Sequence, residues 1–356
     1  MKINFTLFGA GLTGGNFNLI EVAQRLAKRG HEIIVTSIGS PRDLNWFKNK
    51  NFQINFAPLT NKFLYKVYRK LLKPSVLHPF PATEIKELIK IMPDCDINIA
   101  TSHFTTPAVH RSAKGQGFYY IQHFDSWLIK DRLANNIHNE SYYLPLEKIT
   151  VSSWLKDIIN EKLKTNIKYV ITAGVDKDFF YPRPKNNKKL RIISLGRRVE
   201  WKGFGELEQA MRELFKERAD FEWIVFSSHD TPRLKLDAPF TLVKSPYGEQ
   251  LGALYASCDI AVNPSYHEGF AQPALEAMAS GCAVITTEIG AEDFARPDNS
   301  LIIRAKDYLP IKQSILKLLD NPDWRKQLSQ QGCETAKNFY WDRIIDKWEN
   351  LFKKYV

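Results

Sequence analysis

The stretch DIAVNPSYHEGFAQPALEAMASGCAVITT, from Asp259 to Thr287, decides the fold class of this chain. Its pattern predicts a strand, a loop, a helix and a second strand over 259–263, 264–272, 273–280 and 283–287. Pro273 stands at the favoured first position of the helix, and Gly281 marks its end. A strand, a crossover helix and a further strand are typical of a parallel sheet, so the stretch indicates an α/β fold.

Strand and helix patterns also alternate through the rest of the chain, which is typical of doubly wound sheets. Further strands are predicted at 2–8, 32–38, 52–56, 97–101, 118–122, 148–151, 190–195, 222–227 and 240–243. Two prolines and a basic, Asn-rich run interrupt the alternation and predict a linker over 177–189. We therefore expect a first domain over 1–176, a second over 190–338 and a C-terminal helix over 339–356.

The composition is that of a soluble globular protein, with 356 residues, 44% hydrophobic and 25% charged residues. No apolar run approaches the roughly 18 residues that would span a membrane, and the glycine-broken N-terminus is not typical of a signal peptide. Four cysteines, at 95, 258, 282 and 333, lack the spacing of a metal site and fit reduced thiols. We therefore expect a cytoplasmic protein.

A glycine-rich turn near the start, LFGAGLTGG at 7–15, raises the question of a nicotinamide cofactor. A predicted strand precedes it and a predicted helix over 18–30 follows, as in a dinucleotide-binding unit. That use also needs an acidic residue at the end of the second strand, where it holds a ribose. Glu32 is the only acid of that strand and stands at its start, which disfavours a nicotinamide-dependent oxidoreductase. The turn is then either a loop for another ligand or a tight turn without one.

Two carboxylates in the opening stretch are candidate ligand-binding groups. Glu268 lies in the predicted loop, and Glu276 lies early in the predicted helix. The peptide N–H groups of Gly269, Phe270 and Ala271 stand at the helix N-terminus, where the dipole and the unsatisfied donors suit a phosphate or a sugar hydroxyl. Because a carboxylate accepts paired hydroxyls well, the two acids indicate a ribose or a hexose as ligand.

The chain resembles the retaining glycosyltransferases of the GT-B fold, and most closely glycosyltransferase family 4. The resemblance rests on Glu268 and Glu276, in an E-x7-E arrangement within HEGFAQPALEAMASG, preceded by NPS. Further matches are LGRRVEWKG at 195–203, AGVD at 173–176, and the pair Gly14–Gly15 before LAKRGHEI. The resemblance covers nearly the whole chain. It implies two doubly wound Rossmann-like domains that face a central cleft, with the C-terminal helix crossing back to the first domain.

The resemblance implies a nucleotide diphosphate sugar as the donor substrate. Glu276 would bind the ribose, and Glu268 with the backbone of Gly269 and Phe270 would hold the sugar. Arg197 and Lys202 would bind the pyrophosphate, and two cations there can stabilise the leaving group as a magnesium ion would. No metal and no other cofactor is therefore expected.

The first domain would supply the acceptor side of the cleft. The backbone at Gly14 and Gly15 can approach the donor phosphates or the acceptor closely. His123, at the end of a predicted strand, resembles the family's cleft histidine, which contacts the donor sugar near the reacting carbon. His103 ends the neighbouring strand and is the second candidate, lining the acceptor site. For each of the two histidines, the alternative interpretation is a purely structural role.

The implied reaction is a retaining transfer of a hexosyl or related group to the hydroxyl of a glycan, a lipid-linked or a protein acceptor, for example in cell-envelope or surface glycan assembly. Where the family often has a double glycine in the donor-sugar pocket, this chain has Gly290–Ala291. A sugar-nucleotide epimerase or a phosphorylase on the same fold is one alternative. A catalytically silent partner subunit, or a glycan- or nucleotide-binding module, is another.

A basic segment carries much of the net charge of +11. No Asp or Glu occurs from Leu44 to Thr83, and residues 62–73 place cations at three- and four-residue spacing among large apolar side chains. This pattern predicts a basic amphipathic helix that either lies on the anionic inner face of a membrane or presents an ordinary solvated face. No nucleic-acid-binding module is recognisable, so nucleic acid is not an expected partner.

Overall fold

The computed structural model describes residues 1–47, 50–58, 82–124, 126, 129, 132–227 and 235–356. These residues pack into two units, which we call the first and the second unit. The first unit comprises Met1–Ile171 together with Ile345–Val356, and the second comprises Thr172–Ile344. Residues 177–189, predicted as a linker, lie within the second unit. The basic helix predicted over 62–73 lies outside the described residues.

The first unit is built on a seven-stranded parallel sheet with the strand order β3-β2-β1-β4-β5-β6-β7. Its strands are β1 Lys2–Leu7, β2 Glu32–Ile38, β3 Gln53–Ala57, β4 Ile97–Ala100, β5 Gln116–Ile121, β6 Glu147–Thr150 and β7 Tyr169–Val170. Its helices are α1 Gly14–Lys28, α2 Ala82–Ile91, α3 Thr106–Ser112, α4 Arg132–Glu140 and α5 Ser153–Leu163.

A polar network crosses the buried centre of this sheet. β1 and β4 pair in parallel, with Asn4 opposite Asn98. Asn4 Nδ2 donates to Asn98 Oδ1 at 2.9 Å, and Thr36 Oγ1 donates to Asn4 Oδ1 at 2.8 Å. All three side chains are fully buried, and the shared hydrogen bonds offset the cost of removing them from water. The network therefore fixes the register of the three central strands.

The second unit is built on a six-stranded parallel sheet with the strand order β10-β9-β8-β11-β12-β13. Its strands are β8 Leu190–Leu195, β9 Phe221–Ser227, β10 Thr241–Lys244, β11 Ile260–Asn263, β12 Ala283–Thr287 and β13 Ser300–Ile303. Its helices are α6 Phe204–Glu217, α7 Glu249–Ala256, α8 Gln272–Ala279, α9 Tyr308–Asp320 and α10 Pro322–Ala336.

The core of the second unit lies between this sheet and the helices α6 and α9. Leu207 and Leu214 of α6 and Ile315 of α9 are fully buried in one cluster with Trp223 of β9. Trp223 also donates from Nε1 to Ser194 Oγ at 3.0 Å, so its polar atom is satisfied. Burial of each such aliphatic side chain contributes about 1.5–3 kcal/mol. The sheet that carries the loops described below is therefore rigidly supported.

A last helix, α11 (Trp341–Phe352), contains the point where the chain returns from the second unit to the first. Trp348 packs edge-on against Tyr120 with ring centroids 4.9 Å apart, and both rings are fully buried. On the polar side, Arg29 donates to Asp346 at 2.6 Å and to Glu349 at 2.8 Å. The predicted return of the C-terminal helix to the first domain is confirmed.

The predicted fold class, two doubly wound parallel sheets with surrounding helices, is confirmed. Two strands were not predicted, β7 and β13, and both lie at the edge of their sheet. β7 spans only two residues, which are too few for a periodic pattern, and β13 spans four. No helix in the described part of the chain combines the length and the apolar character needed to cross a bilayer.

Candidate functional site

The strand order of the second unit points to one ligand-binding edge. The sheet runs outward in both directions from the neighbouring strands β8 and β11, which makes their boundary a topological switch point. Ligands of open α/β sheets bind in the crevice outside the carboxyl ends of the strands at such a point. Two loops occupy this position, residues 196–203 after β8 and 264–271 after β11, and we call them the switch loops.

The switch loops carry a buried ion pair. Lys202 Nζ lies 2.6 Å from Glu268 Oε1, and the two side chains are only 14% and 7% exposed. Two charges removed from water in this way are stable together, whereas either one alone would be strongly disfavoured. The structure therefore brings together two of the predicted donor-binding residues, one from each loop.

The backbone holds the switch loops in direct contact. The Tyr266 amide donates to Trp201 O at 2.7 Å. Gly203 adopts φ +63°, and a Cβ atom there would lie 2.1 Å from Pro264 O, so only glycine fits. Gly203 also stands immediately before α6, whose first residue is Phe204. The LGRRVEWKG motif therefore ends on a glycine that the contact with the second loop requires.

The side chain of Tyr266 links the second switch loop to α6. Its hydroxyl donates a hydrogen bond to the Glu206 carboxylate of α6. Burial and this hydrogen bond raise the pKa of Tyr266 well above its usual value. Lys306 Nζ lies 5.2 Å from the centre of the tyrosine ring, in a cation–π contact. Tyr266 was not predicted as a site residue, because one tyrosine in a loop carries no periodic or motif signal.

Glu276 lies on α8 and is buried. Burial raises the pKa of its carboxyl to about 8, and a hydrogen bond from Gln272 partly opposes that rise. Gln272 Nε2 donates to Glu276 Oε1 at 3.3 Å and to Gly174 O at 2.8 Å. Gln272 Oε1 is buried and has no hydrogen-bond partner among the described residues. Gln272 is thus a candidate site residue that the sequence analysis missed, although it directly precedes Pro273 in the decisive stretch.

Three peptide amides at the N-terminus of α8 were predicted to bind a ligand, and one of them has a partner within the protein. The Ala271 amide donates to Gly290 O at 2.8 Å and is therefore engaged within the protein. Gly269 and Phe270 remain the candidate backbone donors of this loop. Gly290 adopts φ +80°, and a Cβ atom there would lie 2.6 Å from Glu268 Cβ. The first position of the Gly290–Ala291 pair thus requires glycine, and the buried alanine at the second is accommodated.

The remaining predicted donor-binding residue of this unit is Arg197. It is the second residue after β8, in the first of the switch loops, and it is exposed. Lys202, by contrast, is held by Glu268 at the other end of the same loop. The two predicted pyrophosphate-binding cations thus share one loop, with one fixed in place and the other extending into solvent.

The first unit has its own switch point, between β1 and β4. Gly14 and Gly15 open α1 directly after the turn that follows β1, and a Cβ atom on Gly15 would lie 3.3 Å from the Gln122 amide group. His123 follows β5 and is exposed. His103 follows β4, and its ring meets the buried His138 ring edge-on with centroids 4.5 Å apart. Burial, with a smaller contribution from His138, lowers the pKa of His103 to about 3, so this imidazole is neutral near pH 7.

Comparison with known proteins adds a family match. Residues 189–321 match the family described as glycosyl transferases group 1. An MMP alpha-(1->4)-mannosyltransferase of Mycolicibacterium hassiacum is 30% identical over 59% of this chain and 54% of that enzyme. This chain therefore spans about half the length of that relative. An uncharacterized glycosyltransferase of Haemophilus influenzae is 23% identical over 98% of this chain and 99% of its own.

Solved structures resemble the whole chain. Sucrose-phosphate synthase from Thermosynechococcus elongatus matches with a TM-score of 0.79 at 16% identity, covering 99% of both chains. Anabaena Alr3699/HepE, crystallised with UDP and glucose, matches with a TM-score of 0.75 at 14% identity, covering 99% of this chain and all of its own. At these identities the likeness shows the fold alone, which is the GT-B fold with two Rossmann-like domains.

Proposed function

We propose that this chain, whose second unit carries the group 1 glycosyltransferase match, transfers a sugar from a nucleotide diphosphate donor to a hydroxyl acceptor. The buried pair of Lys202 and Glu268 carries this proposal. It lies on the switch loops, where open α/β sheets bind their ligands, and within the family-matched residues. A cation and a carboxylate together suit a ligand with a phosphate at one end and hydroxyls at the other.

Glu276 is the proposed ribose-binding group. Its buried carboxyl stands one helix turn after Gln272, whose Oε1 has no hydrogen-bond partner among the described residues. A ribose supplies two adjacent hydroxyls, which can donate to a carboxylate and a neighbouring carbonyl. Their hydrogen bonds favour the charged carboxylate, which lowers its pKa on binding. The HepE structure, which has the same fold, contains UDP, and this supports a nucleotide as the proposed ligand.

Lys202 and Arg197 are the proposed pyrophosphate-binding groups. In the structure described here the charge of Lys202 is neutralised by Glu268. A donor pyrophosphate would take the place of that carboxylate at the lysine. Glu268 would then accept hydrogen bonds from the hydroxyls of the donor sugar. The backbone amides of Gly269 and Phe270 would donate hydrogen bonds to the oxygens of the same sugar. Two cations can neutralise a departing diphosphate without a metal ion, so we propose that the reaction is metal-independent.

We propose that transfer retains the anomeric configuration. The acceptor oxygen attacks the anomeric carbon on the face from which the diphosphate departs. The bond from that carbon to the phosphate oxygen breaks, the bond to the acceptor oxygen forms, and the departing phosphate takes the acceptor proton. The chain then needs no carboxylate nucleophile, and Glu268 acts by holding the sugar. His123 is the proposed contact to the donor sugar from the first unit.

Acceptors of cell-envelope or surface glycan assembly are the proposed physiological targets. This part of the proposal rests on the basic pattern of residues 62–73, which would place the protein on an anionic membrane. Sedimentation with anionic vesicles at low and high salt tests it. Absence of binding at low salt would leave a soluble glycan or protein as the acceptor.

Calorimetric titration with UDP-, GDP- and dTDP-sugars, followed by product analysis, tests the proposed function. One of these donors should bind and be turned over, with the α or β configuration of the donor kept in the product. Binding without turnover in the presence of a broad acceptor panel would favour a catalytically silent subunit. Glu334→Gln is a suitable control for variants of the site acids, because Glu334 is an exposed acid on α10 that pairs with Lys337.

A further inference from the structure

The second unit contains a buried tyrosine hydroxyl beside the proposed donor-binding residues. We propose that Tyr255 is a positioning residue for Glu276, and that its hydroxyl donates a hydrogen bond to the ionised carboxylate when a nucleotide is bound. This inference rests on the proposed function, because it takes Glu276 as the ribose-binding acid. It adds a residue of α7, a helix that lies outside the switch loops and α8.

The ring of Tyr255 is held in place by other aromatic rings. Tyr255 is only 2% exposed. It meets Phe226 of β9 edge-on, with ring centroids 5.5 Å apart, and it contacts Phe180 with centroids 6.3 Å apart. Because interiors are close-packed, a ring with such neighbours keeps one position. The hydroxyl therefore stands at a fixed place inside the unit.

The hydroxyl of Tyr255 has no hydrogen-bond partner within the described part of the chain. Burying a hydroxyl without a partner costs free energy, whereas a phenylalanine would fill the same space without that cost. Burial also raises the pKa of Tyr255 well above its usual value, so the group keeps its proton and remains a hydrogen-bond donor. A buried donor of this kind indicates a partner that is present in another state of the site.

Tyr255 lies at the ligand-binding edge of the sheet. It lines a cavity of about 10 Å³, whose other walls include the last residues of β8 and β11 and the start of α8, namely Leu195, Asn263, Pro273 and Ala274. Since β8 and β11 flank the switch point, the cavity lies directly beside it. α7 also packs against α8, the helix that carries Glu276.

Glu276 is the charged group that matches this donor. After burial, its charge is the next cause of the raised pKa of Tyr255, ahead of the thiols of Cys282 and Cys258, so the two side chains are close enough to interact. The Glu276 carboxyl accepts a hydrogen bond from Gln272 Nε2 at 3.3 Å, which is long for such a bond. A buried carboxylate is stable only when further donors surround it.

Binding of a nucleotide would supply the reason for these donors to meet. The ribose hydroxyls favour the ionised form of Glu276, and the ionised form needs a donor from inside the unit as well. Three rotatable bonds allow the glutamate side chain to move toward the fixed hydroxyl. Tyr255 would then favour the charged carboxylate and hold it in one orientation toward the ribose.

Calorimetry with UDP and GDP tests the inference in Tyr255→Phe, which removes the hydroxyl and keeps the ring. Affinity for the diphosphate that the wild type binds should fall about tenfold, as expected for the loss of a hydrogen bond to a charged group. Without this donor the pKa of Glu276 rises, so the pH at which affinity increases should move up by about one unit. Tyr255→Phe added to Glu276→Gln should weaken binding no further, since the hydroxyl acts through the carboxylate.

Tyr120→Phe is the matched control, because Tyr120 is a fully buried tyrosine of the first unit whose hydroxyl donates to Ile171 O at 3.0 Å. It should lower the melting temperature at pH 7 by roughly 2 °C or more, since it leaves a buried carbonyl without that donor. Its affinity for the diphosphate should be that of the wild type. Tyr255→Phe should melt at the wild-type temperature or above, because its hydroxyl has no hydrogen bond to lose.

Three results would overturn the inference. They are wild-type diphosphate affinity in Tyr255→Phe, a melting temperature lowered as much as in Tyr120→Phe, and a loss of affinity that adds to that of Glu276→Gln. The proposed function fails separately. If the wild type binds neither diphosphate, or if Glu276→Gln binds like the wild type, the ribose assignment is refuted and the inference with it. A loss of affinity in Glu276→Gln without one in Tyr255→Phe refutes only the positioning role.

Discussion

Lys202 and Glu268 form a buried ion pair, with Nζ and Oε1 2.6 Å apart, between the two loops at the switch point of the second sheet. The pair fixes a cation and a carboxylate at the place where a donor has to present its diphosphate and its sugar. It also means that the site without donor is electrostatically satisfied. Binding a donor is then an exchange of partners at Lys202 rather than the filling of an uncompensated charge.

Breaking the ion pair should affect stability and turnover differently in two variants. Lys202→Met leaves the Glu268 carboxylate buried without its cation and should lower the free energy of unfolding by about 3–5 kcal/mol. Glu268→Gln leaves the Lys202 cation without its counter-charge but keeps an oxygen that can accept its hydrogen bond, so it should destabilise the fold less than Lys202→Met and should also lower kcat. Urea denaturation and steady-state kinetics measure the two effects. Equal stability of Lys202→Met and the wild type would show that the pair contributes nothing to folding.

Removing the proposed ribose-binding acid should weaken nucleotide affinity more than turnover. Glu276→Ala loses a charge-assisted hydrogen bond, which is worth about 1.5–3 kcal/mol of binding free energy. Isothermal calorimetry with nucleoside diphosphates measures the change, and Glu334→Ala is the control. Unchanged affinity in Glu276→Ala would refute the assignment of this residue.

The raised pKa of Glu276 predicts a stability that falls with rising pH. Burial moves the pKa from an ordinary 4.5 to about 8 in the folded protein. Between these values the folded state holds a proton that the unfolded state has released, so the free energy of unfolding decreases as pH rises across this window. The half-buried Glu292, with a pKa raised to about 7, acts in the same sense. Denaturation curves of the wild type and Glu276→Gln at several pH values isolate the contribution of Glu276. The free energy of unfolding of the variant should depend less on pH.

Nucleotide binding should follow the opposite trend. The ionised Glu276 accepts ribose hydroxyls better than the protonated acid, so affinity should increase as pH rises through about 8. Binding below that pH should release a proton, which appears as a buffer-dependent enthalpy in calorimetry. An affinity independent of pH in the wild type would contradict this role, and Glu276→Gln should abolish the proton release.

The Gly290–Ala291 pair allows a matched comparison. Gly290→Ala places a Cβ atom 2.6 Å from Glu268 Cβ at a φ of +80°, so it should destabilise the fold by about 1–3 kcal/mol and lower turnover. Ala291→Gly, at the neighbouring position, restores the double glycine and introduces no such contact. Thermal melts and donor kinetics of the two variants distinguish them. Wild-type behaviour of Gly290→Ala would show that Glu268 can shift without loss.

Activity should survive removal of divalent metal ions. Lys202 and Arg197 are proposed to neutralise the charge of the diphosphate, as a magnesium ion would do in a metal-dependent enzyme. Assays in excess chelator measure this directly. A complete loss of activity that added magnesium or manganese restores would contradict the proposal. Arg197→Ala should then lower turnover in chelator and in magnesium alike, since no metal compensates for the missing charge.

The sequence alone determined the α/β class, nearly all the strands and the E-x7-E arrangement of Glu268 and Glu276. These features are local or periodic, because a parallel strand reads as an apolar run and a helix begins and ends at recognisable residues such as Pro273 and Gly281. The two strands that were not predicted, 169–170 and 300–303, are short edge strands. Each forms by pairing with the adjacent strand of its sheet.

Only the tertiary structure decided which polar groups meet. Lys202 and Glu268 are 66 residues apart in sequence, and Gln272 reaches Gly174 across 98 residues. The stacking of Phe8 on Phe104 and the capture of the Ala271 amide by Gly290 are of the same kind. All of these contacts except that of Gln272 with Gly174 depend on parallel strands bringing distant carboxyl ends to one edge of a sheet. Residue spacing records the elements and the loops between them, whereas side-chain partners across that edge are set by the strand order and by packing.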